Sequence, residues 1–155
     1  MVVGSDHAAF AAKQIVIDAL SDLGIRCADL GSDGSESVDY PDYAAEVARR
    51  VASGEADRGI LLCGTGIGMS IAANKVAGVR AALVHDVTTA RMSRLHNDAN
   101  VLALGGGLLG ERLLRDIVAV WLSTEFEGGR HQRRLDKIAR IEHAGDTRAR
   151  GRAPE

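Results

Sequence analysis

The residues best able to do chemistry in this chain gather around one thiol. Cys63 stands directly before Gly64-Thr65-Gly66-Ile67-Gly68. Alternating glycines permit positive φ and let successive backbone N–H groups converge on an anion. A helix starting behind them adds its positive end. At the mouth of such a loop a thiol is favoured as the thiolate. The segment is no Walker A motif, since no Gly-Lys-Ser/Thr follows, and GTGIGMS places its third glycine one position early for a dinucleotide fingerprint. Two readings stand: an anion nest with a reactive Cys63, or a tight strand-to-helix turn beside a small apolar residue. Cys27 has no such loop and reads as a packing residue.

Three other pairs flank predicted elements. Asp6 and His7 follow the first strand, as an N-cap or as a carboxylate and imidazole offered to a ligand. His96 and Asn97 end a helix, where a histidine also complements the dipole. His85 and Asp86 read as turn residues. Arg130, Arg133, Arg134 and Lys137 recur at helical spacing on one stripe, which is a solvated face or an anion grip near a helix start. If thiol, histidines, carboxylate and nest share one sheet edge, as expected here, they suit proton transfer at the carbon next to a carbonyl. That reaction needs a base and preorganised donors for an enediolate oxygen. It needs no metal or redox cofactor.

The elements that must position these groups alternate. Short apolar runs over 1–5, 26–30, 59–63, 79–84 and 101–104 read as five parallel strands joined by helices, a Rossmann-like three-layer α/β fold. Helices are expected over 8–23, from Pro41 onward, over 70–76 and 88–95, around Leu113 to Trp121, and over 130–143. In such a sheet, ligands sit beyond the carboxyl ends of the strands, near a topological switch point. The long polar loop GSDGSESVDYPDY is itself a pointer to function. Residues 1–143 form one expected domain, and 144–155 an expected unstructured tail.

Composition excludes several alternatives. The 155 residues carry 19 basic and 21 acidic side chains, so a dominant electrostatic grip on nucleic acid or on an anionic membrane is not expected. Aromatics make up only 3%, too few for base-stacking platforms. Two cysteines without CxxC spacing indicate neither a disulfide framework nor a cysteine zinc site, and a reducing, cytoplasmic setting is expected. No apolar run approaches the roughly 20 residues of a membrane span, and the N-terminus lacks the pattern of a signal peptide. The 18 glycines against 2 prolines point to tight loops rather than disorder.

SDHAAF, DYPDYA, ILLCGTGIGMSIAANK, RAALVHD, SRLHNDANVLALG and EGGRHQRRL, in that order, resemble type B ribose-5-phosphate isomerase, of the sugar-phosphate isomerase family that also includes galactose-6-phosphate isomerase subunits. The resemblance covers residues 1–142. It implies a homodimer, possible as part of a tetramer, that binds a small sugar phosphate at sites on the subunit interface. It implies that Cys63 moves the proton between sugar carbons 1 and 2, that Thr65 assists, and that the amides of Gly64, Thr65, Gly66, Ile67 and Gly68 hold the enediolate. His96 is implied as the acid of ring opening, helped by Asp6. Asn97 is implied as a hydroxyl ligand and Tyr40 as a wall of the site. His7, Arg130 and Arg134 are implied as phosphate ligands, the two arginines reaching the neighbouring subunit. Some members use a loop glutamate as base where this chain has Met69. Gly107 stands where relatives commonly carry a phosphate-binding arginine, and Arg112, five positions on, is no motif match.

Overall fold

A computed structural model describes residues 1–150, with side chains to residue 144. Five strands, β1 (Val2–Ser5), β2 (Ala28–Asp29), β3 (Gly59–Cys63), β4 (Ala81–Val84) and β5 (Val101–Gly105), form one sheet in the order β2-β1-β3-β5-β4. All four pairings are parallel, and Cys63 lies opposite Gly105 in the register. The helices are α1 (Phe10–Asp22), α2 (Tyr40–Ala52), α3 (Ile67–Ala73), α4 (Val87–Asn97), α5 (Glu111–Ser123) and α6 (Arg130–Arg150). A 3-10 turn, His7–Ala9, leads into α1.

The strand period of two divides the core. Ile60 and Leu62 join Val3, Leu102 and Leu104 in packing against Val16 and Leu20 of α1 and Leu114, Ile117 and Trp121 of α5. Leu61 and Cys63 face the other way, against Val47 and Ala48 of α2 and Met69 and Ala73 of α3. Helices therefore cover both faces, and β3, hidden on both, is the uninterrupted apolar run that a central parallel strand requires. The expected three-layer α/β class is what the chain adopts.

Several boundaries differ from expectation. β2 shrinks to two exposed residues because it is an edge strand, although Leu30 N–H and Ser32 N–H still donate to the carbonyls of Val3 and Ser5. A buried Lys13 secures this edge. Its Nζ reaches Asp29 Oδ2 at 2.8 Å and the Ser32 carbonyl at 2.7 Å, tying α1 to the start of the long polar loop. Helix α3 begins at Ile67 rather than at residue 70, because Gly66 at φ +78° is its N-cap. Helix α6 overruns the expected stop at residue 143 and continues to Arg150, so the segment expected to be unstructured is helical as far as 150. The remainder, 151–155, lies outside the described residues. Among those described, no helix is long and apolar enough to cross a membrane.

Candidate active site

Reversal of strand order around β1 opens a crevice between the carboxyl ends of β1 and β3. Asp6 and Cys63 occupy those two ends. Asp6 is 7% exposed, and its Oδ1 accepts from Ala9 N–H at 3.2 Å, so the capping role is real and leaves a second carboxylate oxygen. His7 Nδ1 accepts from Val38 N–H at 3.1 Å. Acceptance at Nδ1 places the ring proton on Nε2, a donor suited to an anion. The same bond ties the long loop to the start of α1. Tyr40, the first residue of α2, lies across Gly68: a Cβ there would stand 2.6 Å from its ring.

Cys63 is 6% exposed, and its Sγ accepts the Gly66 N–H at 3.1 Å. Thr65 Oγ1 accepts from Ile67 N–H at 3.3 Å, so in this conformation two of the loop amides point at the loop's own side chains. Gly66 has no substitute. Besides its positive φ, a Cβ would meet the Leu104 backbone at 2.8 Å. The loop after β5 clamps this one, with Gly106 N–H donating to the Cys63 carbonyl at 2.8 Å and Gly107 N–H to that of Gly64 at 3.0 Å. A Cβ at Gly107 would lie 3.0 Å from the Gly64 oxygen, so a side chain here requires the two loops to part by a few tenths of an ångström. Arg112 does not replace the expected arginine, being 96% exposed beside Asp116. Met69 is fully buried in the core rather than offered to the crevice. Of the two turn residues, Asp86 caps α4, and backbone and hydroxyl donation from Thr89 holds its carboxyl below the usual range. His85 does more than turn the chain, since its Nε2 lies 3.2 Å from the Thr65 carbonyl.

One expectation is corrected. His96 and Asn97 do not share the edge of Cys63. Helix α4 runs back antiparallel to the strands, so its C-terminus arrives at their amino ends. The Asn97 and Asp98 carbonyls accept from Arg80, directly before β4, and the Asn100 carbonyl accepts from Gly59 N–H at the start of β3. From Gly59, β3 rises about 13 Å to Cys63. The chain therefore carries two groups of candidate residues at opposite edges.

The second group is compact. His96 and His131 stack with ring centroids 4.2 Å apart and planes 5° from parallel. Arg130 Nε donates to His131 Nε2 at 3.3 Å, and Arg134 Nη1 lies 3.4 Å from His131 Nδ1. Burial first, then the charge of His96, push the His131 imidazole below its ordinary range; Glu127 pulls the other way, and Arg130 and Arg134 add lesser pushes downward. Sequence reasoning passed over His131 and Glu127, although their spacing of four around Gly128-Gly129 was visible. Ligand atoms of His96, Glu127 and His131 all lie within 4.8 Å of one another, a distance open to a metal ion. The stacking disfavours it, because in-plane lone pairs of parallel rings do not converge, and Arg130 already donates to His131 Nε2. Asn97 also lines a largely apolar groove of about 480 Å³ between β4 and α6, walled by Val79, Ala82, Ile138 and Ile141.

A parallel α/β sheet with a thiol, a carboxylate and a glycine loop at its switch point defines a small-molecule enzyme of the doubly wound class. Residues 1–138 match the model of the ribose/galactose isomerase family. Ribose-5-phosphate isomerase B of Escherichia coli is 49% identical over 139 residues, covering 90% of this chain and 93% of that one. The solved structure of the Clostridium thermocellum ribose-5-phosphate isomerase B superposes with a TM-score of 0.91 at 53% identity, covering 92% of this chain and 97% of that one. That of the Thermotoga maritima ribose 5-phosphate isomerase gives 0.87 at 53% identity, covering 90% and 96%. The chain belongs to the ribose/galactose isomerase family.

Proposed function

We propose that the protein is an aldose–ketose isomerase that interconverts ribose 5-phosphate and ribulose 5-phosphate, acting as a homodimer whose sites draw on both copies. One observation carries the reaction: Cys63, at the switch point of the sheet, receives a backbone N–H on Sγ in a loop closed by glycines on both sides. Ring opening comes first. His96 gives a proton to the furanose oxygen while Asp6 takes the proton of the carbon-1 hydroxyl, so the C1–O bond breaks and the aldehyde forms. Cys63 thiolate then removes the proton at carbon 2, and the electron pair forms the C1–C2 double bond of a cis-enediolate. Loop amides of Gly64 to Gly68 stabilise the oxyanion, and Thr65 assists proton movement. The O2 proton passes to O1, and return of the proton to carbon 1 then gives the ketose with its carbonyl at carbon 2. Asn97 holds a sugar hydroxyl, Tyr40 walls the site, and His7 with Arg130 and Arg134 binds phosphate, guanidinium being suited to that anion.

The separation of the two groups supports the dimer. Cys63 and His96 of one copy are at opposite edges, so a complete site requires His96, Asn97, Arg130 and Arg134 from a second copy. Helix α6 supports this reading. It leaves Ile138 and Ile141 exposed, the pattern of a face that buries against another chain. Two unpaired cysteines and a working thiolate suit a reducing, cytoplasmic setting. The decisive experiment is a coupled assay on folded protein: formation of ribulose 5-phosphate from ribose 5-phosphate is expected, and its absence refutes the proposal. Gly107 favours a second reading, the same chemistry on a sugar phosphate of four or six carbons, and relative kcat/KM across chain lengths separates the two.

A further inference from the structure

At the carboxyl edge of the sheet, one histidine has no part in the proposed reaction yet touches its loop. His85 follows β4, and the strand order places β5 between it and β3, from which the Cys63 loop springs. Its Nε2 nevertheless lies 3.2 Å from the Thr65 carbonyl. A carbonyl only accepts, so Nε2 is the protonated nitrogen and donates. Gly105, the last residue of β5, has no side chain to crowd this contact; a Cβ there would stand 3.0 Å from the Thr65 oxygen. Of the four successive carbonyls from Cys63 to Gly66, backbone N–H groups hold three: Gly106 on Cys63, Gly107 on Gly64 and Ser70 on Gly66. Among the described residues, the Thr65 carbonyl is left to His85.

The Thr65 carbonyl and the Gly66 N–H belong to one planar trans peptide, so they point in opposite directions and turn together. That N–H donates to Cys63 Sγ at 3.1 Å. A bond that holds the carbonyl therefore holds the N–H on the sulfur. From this geometry we infer that His85 is a positioning residue for Cys63: by donating to the Thr65 carbonyl it fixes the Thr65–Gly66 peptide with its N–H, not its oxygen, toward Sγ. The inference rests on the role proposed for Cys63. The glycine makes an anchor necessary. Gly66 lies at φ +78° and lacks the Cβ that would restrict rotation of the peptide before it. A turned peptide would present an acceptor oxygen to the sulfur that serves as thiolate.

The test compares wild type with His85→Leu, which removes the donor, and with His85→Gln, whose side-chain amide can donate to the same carbonyl. Position 85 is a half-buried turn outside the core, and the Asp86 cap of α4 is untouched, so both variants keep the fold. In isotope-labelled protein, the Gly66 amide proton of His85→Leu is expected to move upfield and to exchange faster with solvent. The Gly106 and Gly107 amides, bonded to backbone carbonyls, keep their signals. His85→Gln restores the Gly66 signal. With ribose 5-phosphate, His85→Leu lowers kcat about fivefold, the scale of one neutral hydrogen bond lost, leaves KM unchanged, and is rescued in His85→Gln. Solvent-deuterium incorporation at carbon 1 of ribulose 5-phosphate, which needs the base but no ring opening, falls in parallel. A Gly66 amide unmoved in His85→Leu overturns the inference. A Gln variant as slow as the Leu variant, or a loss confined to KM, overturns it as well. A wild type that does not turn over ribose 5-phosphate refutes the proposed function instead, and the Gly66 amide still decides whether His85 holds the peptide.

Discussion

Mixing two inactive variants tests the split site most directly. Cys63→Ala removes the base from one edge, and His96→Ala removes the acid from the other. Random reassociation of equal amounts gives about half of the dimers as hybrids, each with one doubly defective site and one that combines an intact Cys63 with an intact His96. The mixture is expected to recover roughly a quarter of the wild-type rate per chain, half of the dimers each contributing one of two sites. If one chain built the whole site, every chain in the mixture would remain defective and recovery would be zero. The geometry makes the outcomes distinct, because the length of β3, about 13 Å, separates the two groups and exceeds any side-chain reach between them. The assay follows ketose formation from ribose 5-phosphate after mild denaturation and refolding of the mixture. Hybrids are counted by native mass spectrometry, and the residual rates of the parents are subtracted. Hybrids present at the expected fraction without recovered activity would refute the shared site.

Other outcomes follow from single contacts. Gly66→Ala combines a left-handed φ with a Cβ 2.8 Å from the Leu104 backbone, so it should destabilise the fold by at least about 2 kcal/mol in urea unfolding; an unchanged midpoint would contradict the geometry. Gly107→Arg should lower KM for ribose 5-phosphate severalfold by restoring a guanidinium to the phosphate, and an unaltered KM would show that this position does not face it. His131 is held below its ordinary range by burial. Above the unfolded value both states are neutral and its contribution is complete; as pH falls below that value the unfolded chain binds the proton first, so stability falls until the folded value is passed. The urea midpoint should therefore drop on acidification from pH 7 toward 5, and less steeply in His131→Gln; identical slopes would remove His131 from the explanation.

Local chemistry was legible in the sequence wherever a side chain acts within its own element. The buried run 59–63 could be read as a central strand from its apolarity, the loop from its glycines, and the Asp6 cap from its place before a helix. The shift of α3 to Ile67 was not legible, because it depends on Gly66 adopting a positive φ where the Leu104 backbone leaves no room for a side chain. Nor was the close packing of residues 105–107, where Gly105 lies against the Thr65 backbone and Gly106 against Ala9 and Ala12: only tertiary contact brings Gly107 N–H to the Gly64 carbonyl. His85 belongs with these, since its contact with Thr65 spans two strands.

The sequence by itself determined the layers, the parallel strands, the glycine loop after β3 and the family, because periodicity and motif order are properties of adjacent residues. The tertiary structure decided which of those residues can meet. His96 closes a helix that runs against the strands, so a histidine close to β5 in sequence stands at the far edge from Cys63, beside a glutamate and a histidine more than thirty positions later. Direction of travel, not spacing along the chain, divides the candidate residues into two groups, and that division is what makes a second copy part of the proposed site.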